Sequence, residues 1–161
     1  MQIKQYNREK AVQYAKIWAG SRNLDYYNYE YLGGDCTNFI SQCIFSGTGI
    51  MNYNKANGWY YINGNNKSPS WTGVEFLYDF LTRNKSVGPF GREVTRNEID
   101  IGDIVQLSFN GVKFGHTLIV VNKMEDKIFI ATHTFDCYNR DLDTYSYVKA
   151  RYIKINEFRT W

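Results

Sequence analysis

Apolar residues recur with a helical period in three segments of the first half of the chain. Asn7 and Asp35 precede two of these segments and have side chains typical of N-caps, and Gly47 is a natural stop signal for the second. Thr72 and Glu75 have the spacing of a capping box before the third. The predicted helices cover residues 7–21, 36–46 and 73–84.

The second half of the chain has a different pattern, with short β-branched and aromatic runs separated by turns. The predicted strands cover residues 103–109, 116–122, 127–134 and 148–155. Residues 47–69 are rich in Gly and Asn and indicate a long surface loop. Helices followed by strands, without a βαβ rhythm, predict one α+β domain over residues 1–161, with helices packed on an antiparallel sheet.

Charge and composition exclude several classes of protein. The 161 residues carry 19 basic and 16 acidic side chains, and this net charge of +3 is too small for a nucleic-acid-binding surface. No apolar run approaches the roughly 20 residues that span a bilayer. Residues 1–10 are polar and lack the apolar region of a signal peptide, so we expect an excised domain of a secreted protein or a phage lysin domain.

The three cysteines form an odd set without close spacing, which argues against a disulfide framework. We weighed a zinc site formed by two cysteines and both histidines. The chain has no Cys-x-x-Cys pair, so the sequence disfavours this site. The expected chemistry needs no metal and no organic cofactor. The residues of the disfavoured zinc site are Cys36, Cys43, His116 and His133.

A Gly-rich turn places Cys36 in the first turn of the second predicted helix. The unpaired N–H groups and the dipole at that end of a helix stabilise a thiolate and predict a lowered thiol pKa. The same groups can bind an oxyanion when the thiolate attacks a carbonyl. The alternative is a small buried cysteine at a helix start. Cys43 lies on the inner face of the helix and reads as a core residue.

A cysteine nucleophile needs a base, and the chain has two histidines. His116 opens the most apolar predicted strand, and His133 ends the next. If the two strands form an antiparallel hairpin, both histidines lie at the same end of the sheet. His133 could then orient the His116 ring, and Asp136 is the alternative for this role.

The order of these segments resembles the papain-like cysteine hydrolases of bacterial cell walls, including the NlpC-type and CHAP peptidases. It resembles most of all an amidase-domain family of Gram-positive bacteria. The resemblance covers nearly the whole chain. The matching segments are residues 6–12 (YNREKAV), 34–42 (GDCTNFISQ), 59–60 (WY), 70–73 (SWTG), 102–106 (GDIVQ), 115–117 (GHT) and 133–134 (HT).

The resemblance implies a papain-like fold with Cys36 as nucleophile, His116 as base and His133 as the third polar residue. It gives Asp35 a capping role with support of the oxyanion site. Papain-like enzymes with a glutamine before the cysteine use it as an oxyanion donor, whereas this chain has Glu30 in that region. Substrate contacts are expected from aromatic side chains, namely Tyr27, Tyr31, Trp59 and Trp71.

The expected function is hydrolysis of amide bonds in cell-wall peptidoglycan through a thioester acyl-enzyme, by a monomer located outside the cell or in the wall. Two alternatives stay open at this point. A wall-binding module would stack its aromatic residues on sugars and leave Cys36 inert. An acyltransferase would use the same Cys–His pair but exclude water.

Overall fold

The computed structural model describes the whole chain from Met1 to Trp161 and contains four α-helices and nine β-strands. The helices are α1 (Arg8–Trp18), α2 (Cys36–Thr48), α3 (Pro69–Thr72) and α4 (Val74–Arg83). The strands are β1 (Gln2–Gln5), β2 (Tyr61–Asn63), β3 (Asn66–Lys67), β4 (Gly88–Val94), β5 (Ile104–Ser108), β6 (His116–Met124), β7 (Lys127–Thr132), β8 (Cys137–Asp141) and β9 (Lys149–Thr160). No helix has the length and apolar character needed to cross a membrane.

Seven strands form one sheet in the order β1-β9-β5-β6-β7-β8, and β4 pairs with β9 off this path. Every strand pair is antiparallel. The long strand β9 pairs with β5 near its start and with β1 near its end. Strands β2 and β3 form a separate hairpin. The predicted combination of helices and antiparallel sheet is therefore what the chain adopts.

The sheet is buried on both faces because its central strands are apolar on both sides. On one face, Ile104, Ile119 and Ile153 join α1, α2 and α4 in a core of 19 residues. On the other face, Leu107 and Leu118 belong to a second cluster of 8 residues. Successive residues of a strand alternate between these faces, which determines where each residue of β6 can act.

The first two helices follow most of the sequence signals, although α1 ends at Trp18, before the predicted end at residue 21. Asn7 accepts a hydrogen bond from the Lys10 N–H at 3.0 Å, which confirms the predicted cap. Gly47 does not end α2, since the helix runs on to Thr48 and Gly49 adopts the left-handed C-cap. A Cβ at Gly47 would lie 2.4 Å from the Tyr6 ring, so this glycine allows the close approach of two elements.

The third predicted helix corresponds to α4, and the short helix α3, which was not predicted, precedes it across Gly73, whose backbone is extended. The predicted capping box is wrong, because Gly73 rather than Thr72 is the N-cap and no side chain caps α4. Glu75 instead accepts the backbone N–H of Phe114 and pairs with Arg151. The four predicted strands correspond to β5, β6, β7 and β9. Strands β1, β4 and β8 were missed, as was the β2–β3 hairpin within the predicted surface loop of residues 47–69.

The turn between β7 and β8 has an unusual backbone. Thr134 and Phe135 both have positive φ angles, 61° and 62°, in the left-handed region that disfavours β-branched and aromatic residues. The Thr134 hydroxyl accepts the Asp35 N–H at 3.0 Å, while the Phe135 side chain is 85% exposed. In this conformation Thr134 gains a hydrogen bond to the N-terminus of α2. Phe135 gains no packing contact that would offset the strain of its positive φ.

We expect Phe135→Gly to raise the free energy of unfolding by about 1 kcal/mol, since glycine adopts a positive φ without the Cβ clash. Phe135→Ala is the matched control, because it removes the ring but keeps the Cβ. Urea denaturation of both variants measures the difference. Equal stabilities of the two variants would contradict the strain argument.

Candidate active site

Cys36 is the first residue of α2 and its side chain is only 7% exposed. Its Sγ lies 3.7 Å from the Thr37 hydroxyl, and the backbone N–H groups of Thr117 and Thr37 also bind the sulfur. Burial raises the pKa of the Cys36 thiol, and these hydrogen bonds only partly oppose it. The lowered pKa predicted from the sequence is therefore wrong for this conformation.

Some backbone N–H groups at the N-terminus of α2, where Cys36 lies, have no hydrogen-bond acceptor. The first intrahelical acceptor, the Asp35 carbonyl, binds the Phe39 N–H. The N–H groups of Cys36 and Asn38 have no acceptor in the protein, and the Asp35 side chain makes no capping hydrogen bond. Asp35 thus occupies the predicted N-cap position without capping the helix. The unpaired donors next to the thiol are the groups that can stabilise an oxyanion.

His116 begins β6, one residue before Thr117. The Thr117 hydroxyl bonds to the Thr37 hydroxyl at 2.9 Å, so Thr117 faces α2 and strand alternation turns His116 to the other face. There its ring lies 6.0 Å from Tyr145 and 6.3 Å from Phe109. No hydrogen bond joins His116 to Cys36 in this conformation.

The surroundings of His116 keep its imidazole neutral. Burial, with a smaller contribution from the positive charge of Arg140, lowers the pKa of His116 to about 4. A neutral imidazole is the form that accepts a proton. Together with the raised thiol pKa, this indicates a neutral thiol and a neutral imidazole at rest, rather than a preformed ion pair.

His133 lies at the end of the sheet where His116 begins β6, as the hairpin predicted, but its ring has other partners. Its Nε2 donates to the Trp18 carbonyl at 2.8 Å, and its Nδ1 lies 2.5 Å from Asp35 Oδ2. The ring stacks on Phe39, with centroids 4.0 Å apart. Both ring nitrogens are therefore engaged away from His116. The predicted orientation of His116 by His133 is not found in this conformation.

Asp136, the alternative orienting residue, also binds elsewhere. Arg22 reaches it with two hydrogen bonds of 2.8 and 3.0 Å and contacts Glu30 at 3.1 Å. Arg22 Nε lies 3.5 Å from Asp35 Oδ2. This guanidinium thus joins the loop before Cys36 to the β7–β8 turn, an arrangement that the sequence analysis missed.

Comparison with known proteins places the chain in a family. The family described as "Putative amidase domain" matches residues 5–156. The chain belongs to this family. It is also 34% identical over 136 residues to the uncharacterized protein YhbB of Bacillus subtilis (strain 168). The aligned part is 82% of this chain and 42% of YhbB, so the chain spans less than half of that relative. No solved structure matches the chain.

Trp59 and Trp71 were predicted to contact substrate, but in this amidase domain neither side chain is accessible to a ligand. Trp59 and Trp71 are fully buried, and their indole N–H groups donate to the Ser41 hydroxyl and the Asn38 side-chain oxygen, both at 3.0 Å. The two rings lie 4.8 Å apart beside α2. The sequence motif around them therefore reflects the support of α2 in the core.

The two tyrosines predicted to contact substrate are accessible in the amidase domain. Tyr31 is 93% exposed and Tyr27 is half-exposed, and both lie in the loop that leads to Cys36. Tyr26 packs parallel to Trp71 instead, and the Tyr29 hydroxyl donates to the Gly64 carbonyl at 2.8 Å. Of the four tyrosines in this loop, Tyr31 and Tyr27 are thus the ones free to meet a ligand.

A buried polar chain that the sequence analysis missed runs from the thiol across the sheet. Thr37 bonds to Thr117, and Gln106 Nε2 lies 3.4 Å from the Thr117 hydroxyl. Gln106 Oε1 accepts from Arg151 Nε at 2.8 Å. Arg151 is sandwiched between Tyr78 and Phe114, at 3.7 and 4.0 Å from the ring centroids. The alternation of β5 provided a signal for Gln106, since it places this polar residue on the helix-facing side.

Two other regions lack the features of a catalytic site. The residues weighed as a zinc site do not form a cluster that could hold a metal ion. A cavity of about 650 Å³ lies between the loop around Asn54 and the end of α4. Its lining contains neither Cys36 nor His116, and several of its asparagine side chains are bonded within their own turns. The candidate catalytic groups of the amidase domain therefore lie at the α2 N-terminus.

Proposed function

We propose that the chain is a cysteine-dependent amidase or peptidase with a papain-like fold that hydrolyses amide bonds in cell-wall peptidoglycan. Cys36 is the nucleophile and His116 the base. The observation that carries the proposal is the position of Cys36 at the open N-terminus of α2, where its N–H has no other acceptor. Membership in a family described as an amidase domain supports the same class of reaction.

The resting protonation states favour a mechanism in which proton transfer accompanies attack. The neutral thiol lies beside the Thr117 N–H, and His116 is the preceding residue of β6. Because the resting His116 ring points to the other face of the sheet, the mechanism requires this ring to turn towards the thiol. It then takes the proton as sulfur bonds to the amide carbonyl carbon. The carbonyl oxygen then accepts hydrogen bonds from the N-terminal N–H groups of α2.

The second half of the reaction uses the same residues. Protonated His116 gives its proton to the leaving amine, and a thioester remains on Cys36. Water, deprotonated by His116, then attacks the thioester carbonyl and releases the acid, and the proton passes from His116 to the departing Cys36 sulfur. Tyr27 and Tyr31 are proposed to contact the substrate on the nucleophile side, since both rings are accessible there.

The substrate choice is tested by incubating the protein with purified Gram-positive peptidoglycan. We expect new free amino groups, with fragment masses that identify the cleaved amide. Cys36→Ala is the control for contaminating activity. Sedimentation of the wild-type protein with the wall, without any new amine, would instead support a wall-binding module. Transfer of the acyl group to an added amine, with no free acid formed, would identify an acyltransferase.

The pH dependence of turnover tests the role of His116. A protonated imidazole cannot accept a proton, so activity is lost as the pH falls through the pKa of the base. With that pKa lowered to about 4, the acid limb of kcat/KM should have its midpoint near pH 4, well below the ordinary value of 6.5. A profile of kcat/KM from pH 3.5 to 8 measures it. A midpoint above 6 would contradict catalysis by the buried ring described above.

A further inference from the structure

An aspartate at an N-cap ordinarily turns its carboxylate to the N–H groups of the first helical turn. Asp35 occupies this position in α2 but makes no such bond. Its Oδ1 accepts from the Tyr29 N–H at 2.8 Å and from the Asn38 side chain at 2.9 Å. Its Oδ2 contacts His133. The carboxylate is thus bound on the side away from the donors that it would otherwise cap.

His133 is held so that it can maintain this arrangement. The Trp18 carbonyl accepts a hydrogen bond from Nε2, Phe39 stacks on the ring, and the residue is 1% exposed. The next residue, Thr134, binds the Asp35 backbone N–H through its hydroxyl. The turn after β7 therefore holds both the backbone and the side chain of Asp35, although 98 residues separate His133 from it.

The consequence concerns the electrostatics next to Cys36. A negative charge placed on the first turn of a helix occupies its N–H groups and opposes a second negative charge there. A carboxylate bound to His133 and Arg22 instead leaves the N–H groups of Cys36 and Asn38 without an acceptor. These donors are then available to a thiolate or an oxyanion.

We propose that His133 is a positioning residue that holds the Asp35 carboxylate away from the first turn of α2 and so keeps the N–H donors beside Cys36 free. This inference rests on the proposed role of Cys36 as nucleophile. It gives His133 a partner other than His116, and it makes Asp35 the residue through which His133 acts.

Two variants of His133 separate this role from others. Asn in place of His puts an amide donor near the position of Nδ1 and can still bind Asp35, whereas Leu keeps the apolar contact with Phe39 but has no donor. The measurement is the rate of Cys36 alkylation by iodoacetamide as a function of pH, with the modified cysteine located by peptide mapping. This readout requires no substrate.

For His133→Leu we expect the alkylation rate of Cys36 at pH 7 to fall roughly 2- to 30-fold, the range that a charge at a helix terminus produces. His133→Asn should retain most of the wild-type rate. Introducing Asp35→Asn removes the competing charge, so His133→Leu should change the rate little in that background. Cys43, which is fully buried in the same helix, stays unlabelled if the variant is folded.

The outcomes are distinguishable. Equal wild-type and His133→Leu profiles would overturn the positioning role, as would equal losses in the Leu and Asn variants. A loss in His133→Leu that persists unchanged in the Asp35→Asn background would also overturn it and point to His116 instead. If Cys36→Ala releases new amine from peptidoglycan as fast as the wild-type protein does, the proposed nucleophile itself fails, whatever the His133 variants show.

Discussion

Cys36→Ala is expected to reduce turnover of a peptidoglycan amide at least about 1,000-fold, because no other group near the α2 N-terminus can form the thioester. The fold should survive this change. The thiol is small, and its hydrogen bonds to Thr37 and Thr117 are weak, so the loss in free energy of unfolding should be about 1 kcal/mol or less. Amine release from peptidoglycan and urea denaturation measure the two effects.

The matched control is Cys43→Ala, the same substitution two turns further along α2. Cys43 is fully buried and belongs to the core, so this variant should lose about 1–2 kcal/mol of stability and keep its turnover. Retention of more than a tenth of the activity by Cys36→Ala would rule out the nucleophile. Loss of activity in both variants would show that turnover follows the packing of α2 rather than the thiol.

The second large effect concerns an ion pair between the start of α1 and the start of β5. Arg8 NH1 lies 2.7 Å from Asp103 Oδ1, and the Arg8 guanidinium also donates to the carbonyls of Ile101 and Ile155. Asp103 is fully buried, and its burial raises the pKa of its carboxyl group even though Arg8 and the Ile155 N–H oppose this. The pair joins the helical layer to the sheet.

Arg8→Met is expected to lower the free energy of unfolding by about 3 kcal/mol near neutral pH, because it leaves the buried carboxylate of Asp103 with only the more distant Lys154, at 3.6 Å, as a cationic partner. The loss should be smaller below pH 4. Without Arg8 the folded-state pKa of Asp103 rises further above its unfolded value, so stability is highest where the carboxyl is protonated and falls as the pH rises. Urea denaturation at pH 4 and pH 7.5 measures this.

Arg83→Met is the matched control for this prediction. Arg83 is 78% exposed and pairs with Asp79 at 3.5 Å, and an exposed pair of this kind contributes about 0.5 kcal/mol or less. Similar losses for the Arg8 and Arg83 variants would contradict the structural role of the buried pair. Adding Asp103→Asn to Arg8→Met should recover part of the loss, because the substitution removes the uncompensated charge.

The contacts of His133 could not be predicted from local sequence patterns alone. The strand pattern correctly put His116 and His133 at the same end of a hairpin, and proximity in that hairpin suggested that they interact. The face that each ring occupies depends on the alternation of β6 and on the packing of α1 and α2. Neither can be read from the spacing of two histidines, so the Asp35 contact was not foreseen.

The missed strands have a related explanation. Strand β1 is exposed throughout, β4 contains Pro89 and two glycines, and β8 consists largely of polar residues. None has the alternating apolar pattern that indicates a strand by itself. Each forms by pairing with a neighbour, β9 in the case of β1 and β4, and β7 in the case of β8. Their formation is a property of the assembled sheet.

The sequence by itself determined the Asn7 cap, the helix that begins at Cys36, the four apolar strands and the combination of helices with an antiparallel sheet. These features depend on neighbouring residues, whose caps and periodicity act over a few positions. Only the tertiary structure decided that Trp59 and Trp71 are buried, that burial raises the pKa of Cys36, and that His133 binds Asp35. Burial, local dielectric and long-range hydrogen bonds arise from segments far apart in the chain, so they exist only once the helices have packed on the sheet.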